Sequence, residues 1–204
     1  MLKFSKDEIE QLIKAGIVLS LAFTILNIGL RDLIFGFNNI YKFFNIFIIF
    51  IITLLTVGLA FLVHELAHKF LAQKYKCKAE FKANNTMLFF GLMTSFLGFI
   101  FISPGAVYIQ GRINKSQNAK ISLVGPLSNL ILGFIFFVFF VFFRDTIISN
   151  FFFYGLKINF FLGFFNLLPF YGFDGFNVFK WNKFIYFFFL IIALILWFLS
   201  FFII

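Results

Sequence analysis

Long apolar runs separated by short polar loops dominate this chain, and the run lengths predict its elements. Residues 15–30, 44–72, 121–143, 151–168 and 184–204 read as helices able to cross, or nearly cross, a hydrocarbon core of roughly 30 Å at about 1.5 Å per residue. A further stretch, 86–109, is apolar from Met87 to Ile102 but is interrupted by Gly91, Gly98, Ser103, Pro104 and Gly105. Charge placement decides its reading. If it does not cross, Lys3 to Lys14, Lys69 to Lys82, Arg112 to Lys120, Lys180 and Lys183 all fall on one side. That is 13 of the 17 basic residues, and the asymmetry is lost if the stretch crosses. We therefore read 86–109 as re-entrant or strand-forming, buried against protein where non-helical backbone is tolerated at membrane depth. The pattern predicts an α-helical polytopic membrane protein of about five to six transmembrane helices. A small membrane-associated β element would lie between the second run and the next helix. No linker or repeat marks a second domain, so 1–204 reads as one domain with no appended soluble domain.

Composition agrees with this picture. The 204 residues are 62% hydrophobic and 12% charged, which excludes an ordinary soluble domain. Phe fills 41 positions and supplies lipid-facing bulk rather than chemistry. A net charge of +9 would suggest nucleic acid in a soluble protein. Here the basic residues sit in short loops, where the positive-inside rule accounts for them, and nucleic acid is set aside. The densest cluster, Lys69, Lys74, Lys76, Lys78 and Lys82, marks the end of the second run as cytoplasmic in a multi-pass cell-membrane protein. Residues 1–14 mix Lys3, Lys6 and Lys14 with Asp7, Glu8 and Glu10 and read as a retained helix rather than a signal peptide. One cysteine, Cys77, excludes an internal disulfide.

The chemistry concentrates near the end of the second run, where both histidines of the chain stand as His64-Glu65-Leu66-Ala67-His68. On a helix the i, i+4 spacing puts two imidazoles on one face a turn apart, able to share a tetrahedral metal, with Glu65 beside them rather than among them. Catalytic zinc takes three protein ligands, so one more is required. The acidic residues after His68 are Glu80, Asp145 and Asp174. Glu80 is close in sequence and surrounded by lysines, and Asp145 follows Arg144 at the opposite surface by the charge argument. Asp174 lies at the depth of the histidines, in a stretch that Pro169, Gly172 and Gly175 keep from being helical.

These residues resemble the site-2 protease family of intramembrane zinc metalloproteases, over about 45–180. His64-Glu65-x-x-His68 matches that family's zinc helix. Asn166-Leu167-Leu168-Pro169 followed by Phe173-Asp174-Gly175 is similar to its N-x-x-P…D-G element, and Gly125-Pro126 to its glycine-proline signature. Ser103 to Tyr108 resembles the family's membrane-embedded strand, which would make 86–102 an insertion. The resemblance implies one Zn²⁺ per chain held by His64, His68 and Asp174, Glu65 as general base, and Asn166 as a polarising or oxyanion-stabilising group. It implies cleavage of membrane-anchored substrate proteins in or near their transmembrane segments. An inactive zinc-binding scaffold of the same fold and a metal transporter are the rival readings. A transporter would need further polar residues along its path, which the apolar runs do not offer.

Overall fold

The structure is a computed structural model and describes residues 3–29, 40–101 and 103–203. Of the polar positions between the first two apolar runs, Arg31, Asp32, Asn38 and Asn39 lie outside them. The chain divides into two compact units, the first built from 3–62 and 80–108, the second from 63–79 and 109–203.

In the first unit, α1 (Lys6–Ile28) starts where Ser5 Oγ accepts from the amide of Glu8 at 3.1 Å, with Asp7 and Glu8 in the positively poled first turn. It includes the charged N-terminal segment as well as the first apolar run. Next come α2 (Ile40–Thr53), a π-helical turn (Leu54–Gly58) and α3 (Leu59–Lys74) without a break. Residues Phe44–Lys74 thus form one 31-residue apolar rod, at about 1.5 Å per residue well beyond the thickness of a bilayer core. Its π-turn meets α1 closely. Thr24 Oγ1 and Thr53 Oγ1 are 2.7 Å apart, and a Cβ added to Gly58 would stand 2.9 Å from Ser20 Oγ.

Strand β1 (Lys78–Ala83) pairs with β2 (Gly105–Gln110), and α4 (Asn85–Ser95) lies between them in sequence. The pair is antiparallel: the Asn84 amide donates to Pro104 O at 3.0 Å, while Gly111, beyond β2, lies against Cys77, ahead of β1. Gly105 has φ +147°, and a Cβ there would run into the carbonyl of Lys82. The stretch 86–109 thus resolves into an 11-residue helix followed by a strand. The outer edge of β1 is closed by side chains. Glu8 Oε1 accepts from Phe81 N and Gln11 Oε1 from Ala83 N, each at 2.9 Å, and Lys69 Nζ donates to Ala79 O at 2.8 Å.

In the second unit, α5 (Lys115–Phe142) begins six residues before the expected 121, where Asn114 and Gln117 form a reciprocal capping box. It is followed by α6 (Ser149–Asn166), α7 (Asp174–Trp181) and α8 (Lys183–Leu199). Helices α5 and α6 approach through glycines. A Cβ on Gly133 would stand 2.6 Å from the Phe160 ring, one on Gly155 2.5 Å from Phe136, and one on Gly163 2.6 Å from Leu130. Where lipid surrounds a bundle, small residues let backbones approach closely enough for van der Waals packing and polar contacts to hold the pair. Leu130, Phe136, Phe140, Leu156 and Phe160 form the buried seam, and Leu167, Val178 and Tyr186 extend it to α7 and α8.

Among the described residues three helices are long and apolar enough to cross a membrane: Lys6–Ile28, Phe44–Lys74 and Lys115–Phe142. Of the other two expected spans, α6 has 18 residues with Asn150, Lys157, Asn159 and Asn166 among them, and α8 is a shorter apolar helix of 17. The α5–α6 seam yields a stability prediction. Gly155→Leu forces a side chain into the Phe136 ring and should cost about 1–3 kcal/mol by overpacking. Thermal unfolding in detergent should show a lower midpoint, and an unchanged midpoint would refute the close approach.

Candidate metal centre

Three of the sequence-predicted residues converge within the second unit. His64 and His68 lie one turn apart on α3, 7% and 8% exposed, and Asp174 opens α7. Their ligating atoms form a small triangle. His64 Nε2 is 2.9 Å from His68 Nε2, and Asp174 Oδ2 is 3.2 Å from each. Donors about 2.0–2.1 Å from a tetrahedral zinc are separated from one another by roughly 3.3 Å, so the triangle has the size of one face of such a site.

Protonation makes the case stronger. His68 Nδ1 is 2.6 Å from the carbonyl of Ile121, an atom that can only accept, so the proton sits on Nδ1 and the Nε2 lone pair faces the triangle. His64 Nδ1 is 2.6 Å from Asn129 Oδ1, with the same consequence. Burial pushes the Asp174 carboxyl up, but positive charge on a protonated His68 and the hydrogen bonds from both rings outweigh it and hold it at about 2, so a metal binding here takes the place of a proton. With both rings neutral, two lone pairs and a carboxylate oxygen face one another in a buried site and repel unless a proton or a metal cation lies between them. Two imidazoles and one carboxylate are a donor set that suits zinc.

Glu65 stands beside this set, 8% exposed and within electrostatic reach of His64, His68 and Asp174. Its Oε2 is buried with no hydrogen-bond partner among the described residues. An orphaned carboxylate oxygen is costly unless it is held for a proton or a bound molecule. Asn166 ends α6, and the hydrogen bond recorded for it runs from Nδ2 to Leu162 O of its own helix at 3.0 Å. The two rejected carboxylates are elsewhere. Glu80 accepts from Ser5 Oγ at 2.7 Å, and Asp145 lies in an exposed turn.

Local sequence explains why the triangle closes. A Cβ on Gly125 would fall on His68 Nε2 and stand 2.7 Å from His64 Nε2, so only glycine lets α5 pass this close to the ligands. Pro126 inside α5 has no N–H for the Ser122 carbonyl, which loosens the ladder just where the neighbouring Ile121 carbonyl accepts from His68. A Cβ on Gly175 would strike the Leu167 carbonyl, so glycine is needed directly after Asp174. Asn177, one turn along α7, donates to Ser122 Oγ at 2.9 Å and ties the Asp174 helix to α5.

The residues missed by sequence reasoning are those behind the ligands, Ile121, Asn129 and Asn159. The signal for the two asparagines was a shared spacing: Gly125, Asn129 and Gly133 on α5 repeat as Gly155, Asn159 and Gly163 on α6. Two helices packed through glycines with a polar residue midway place those polar residues face to face.

No protein-family model matches the chain, and no solved structure does. A protein of Methanocaldococcus jannaschii named "Putative zinc metalloprotease MJ0611" is 39% identical over 165 residues, which cover 79% of this chain and 86% of that protein.

The triangle predicts the behaviour of metal. The purified chain should carry about one zinc, and Gly125→Ala, which places a methyl group on the ligand nitrogens, should lose most of it. Metal analysis of the two proteins side by side decides the matter. Full zinc retention in Gly125→Ala would contradict the geometry.

Proposed function

The chain belongs to the zinc metalloprotease family of this archaeal relative, and we propose that it is an intramembrane zinc endopeptidase of the site-2 protease type. It would hydrolyse peptide bonds in or near the transmembrane segments of membrane-anchored proteins. The observation carrying this reading is the orphaned Glu65 oxygen beside three converging ligand atoms, two of them on a 31-residue apolar rod. Alongside the three long apolar helices, α6 and α8 would complete a multi-pass protein of about five spans. The lysines from Lys69 to Lys82 would hold the site toward the cytoplasmic face.

His64, His68 and Asp174 would hold the metal, leaving a fourth position for water or substrate. When bound, zinc polarises the scissile carbonyl and makes water acidic enough to be deprotonated near neutral pH. Glu65 Oε2 takes the proton of the attacking water and returns it to the nitrogen of the departing amine. Its burial without another partner keeps it free for both transfers. Asn166 Nδ2, released from Leu162 O, would donate to the oxygen that gains charge in the tetrahedral state. An extended substrate segment would add to β2, because the outer edge of β1 is already covered by Glu8, Gln11 and Lys69. Pairing along β2 would also hold the substrate unwound, which matters because a helical amide is shielded by its own hydrogen bond.

Glu65→Gln keeps the shape of the side chain and removes the base. In proteoliposomes with a membrane-anchored substrate, cleavage should fall by at least ~100-fold while zinc content stays at the wild-type level. A variant that cut at the wild-type rate would remove Glu65 from the mechanism.

A further inference from the structure

We propose that Asn177 is a positioning residue for Asp174, acting through Ser122; this rests on the reading of His64, His68 and Asp174 as zinc ligands. The two histidines stand on one helix, so α3 itself sets their spacing. Asp174 has no such support. It comes from a different helix, and Phe173 ahead of it offers no side-chain cap to the first turn. Where its carboxylate stands therefore depends on how α7 is seated. That helix has eight residues, too few to be stable except through its neighbours.

Asn177 follows Asp174 by three residues, about 60° round the helix and about 4.5 Å along it, and so shares its face. Its Nδ2 is 2.9 Å from Oγ of the buried Ser122 on α5. Among the described residues, the polar side-chain contacts that leave α7 are those of Asp174 with the two histidines and that of Asn177 with Ser122. The remaining anchors act differently. Gly175 against the Leu167 carbonyl limits how close α7 can come, and Val178 is buried among apolar side chains, a contact without direction. A hydrogen bond fixes both distance and angle, so it is the contact able to set the register of α7 on α5. A hydroxyl both donates and accepts, so the bond persists whichever way the Asn177 amide is turned. Its place on α5 gives it a bearing on the metal. Ser122 follows Ile121, whose carbonyl meets His68 Nδ1 at 2.6 Å, and stands one turn before Gly125, which lies against both ligand nitrogens. Asp174 is thereby held to the same turn of α5 that orients His68. Without the bond α7 is free to slide or rotate, and the carboxylate loses the fixed distance from the imidazoles that a tetrahedral metal requires.

Zinc affinity of the full chain in detergent, measured by competition with a chelator, should fall roughly 5- to 10-fold in Asn177→Leu and in Ser122→Ala. The double variant should fall no further than the larger single effect, since both changes break one bond. On an Asp174→Ala background, Ser122→Ala should leave the residual zinc affinity of the two histidines unchanged, whereas a general loosening of α5 would lower it. Hydrogen exchange of the chelator-treated protein reads the bond with no metal present, and residues 174–181 should exchange faster in both single variants than in wild type. If Asn177→Leu does not fold, Ser122→Ala breaks the same bond by removing one oxygen atom. Wild-type affinity in Ser122→Ala, or an effect of that change that persists without Asp174, would overturn the proposal. A wild-type chain that bound no zinc would overturn the metal reading. Faster exchange over 174–181 would then still support the seating of α7 by this bond, and unchanged exchange would overturn it.

Discussion

Two imidazole nitrogens and a carboxylate oxygen point at one another within 2.9–3.2 Å, and most of the second unit can be understood as the means of keeping them there. Left alone they would separate or take up protons. The chain holds them together with acceptors behind the rings, a glycine where α5 passes the ligand nitrogens, and a glycine that seats Asp174 against the Leu167 carbonyl. These contacts constrain one another: with a Cβ at 125 the α5 carbonyl of Ile121 could not come close enough to orient His68. The energy spent on crowding like-polarised atoms is recovered when a cation binds between them.

The convergence of the three side chains was largely legible in the sequence because an apolar chain offers few alternatives. Two histidines at helical spacing and three downstream carboxylates leave little to choose between, and the fold brings His64, His68 and Asp174 together as the spacing suggested. What lay behind the ligands was not legible from ligand chemistry. Asn129 could be taken for an ordinary interhelical polar residue, and Asn159 had as its signal only the glycine spacing it shares with Asn129, which shows its meaning once the two helices are packed together. Ile121 contributes a backbone carbonyl, which no side-chain pattern reports. Asn166 stands at the end of α6 as its motif suggested, with its amide bonded within its own helix.

The overall fold was legible in type and less so at its edges. Helix α5 starts at Lys115 because the Asn114–Gln117 box caps it, a polar signal ahead of the apolar run that hydropathy alone overlooks. The stretch 86–109 became a short helix and a strand, in keeping with its glycines and Pro104. Helix α6 is diluted by the residues that make it useful. Asn159 and the glycines beside it lower its apolarity, yet they let it pack closely against α5.

X-ray absorption at the zinc K-edge of the purified full-length protein tests the central claim most directly. The account predicts a first shell of nitrogen and oxygen at about 2.0–2.1 Å, with outer-shell scattering from two imidazoles. A sulfur scatterer at about 2.3 Å, which would implicate Cys77, or a shell with fewer than two imidazoles, would contradict it.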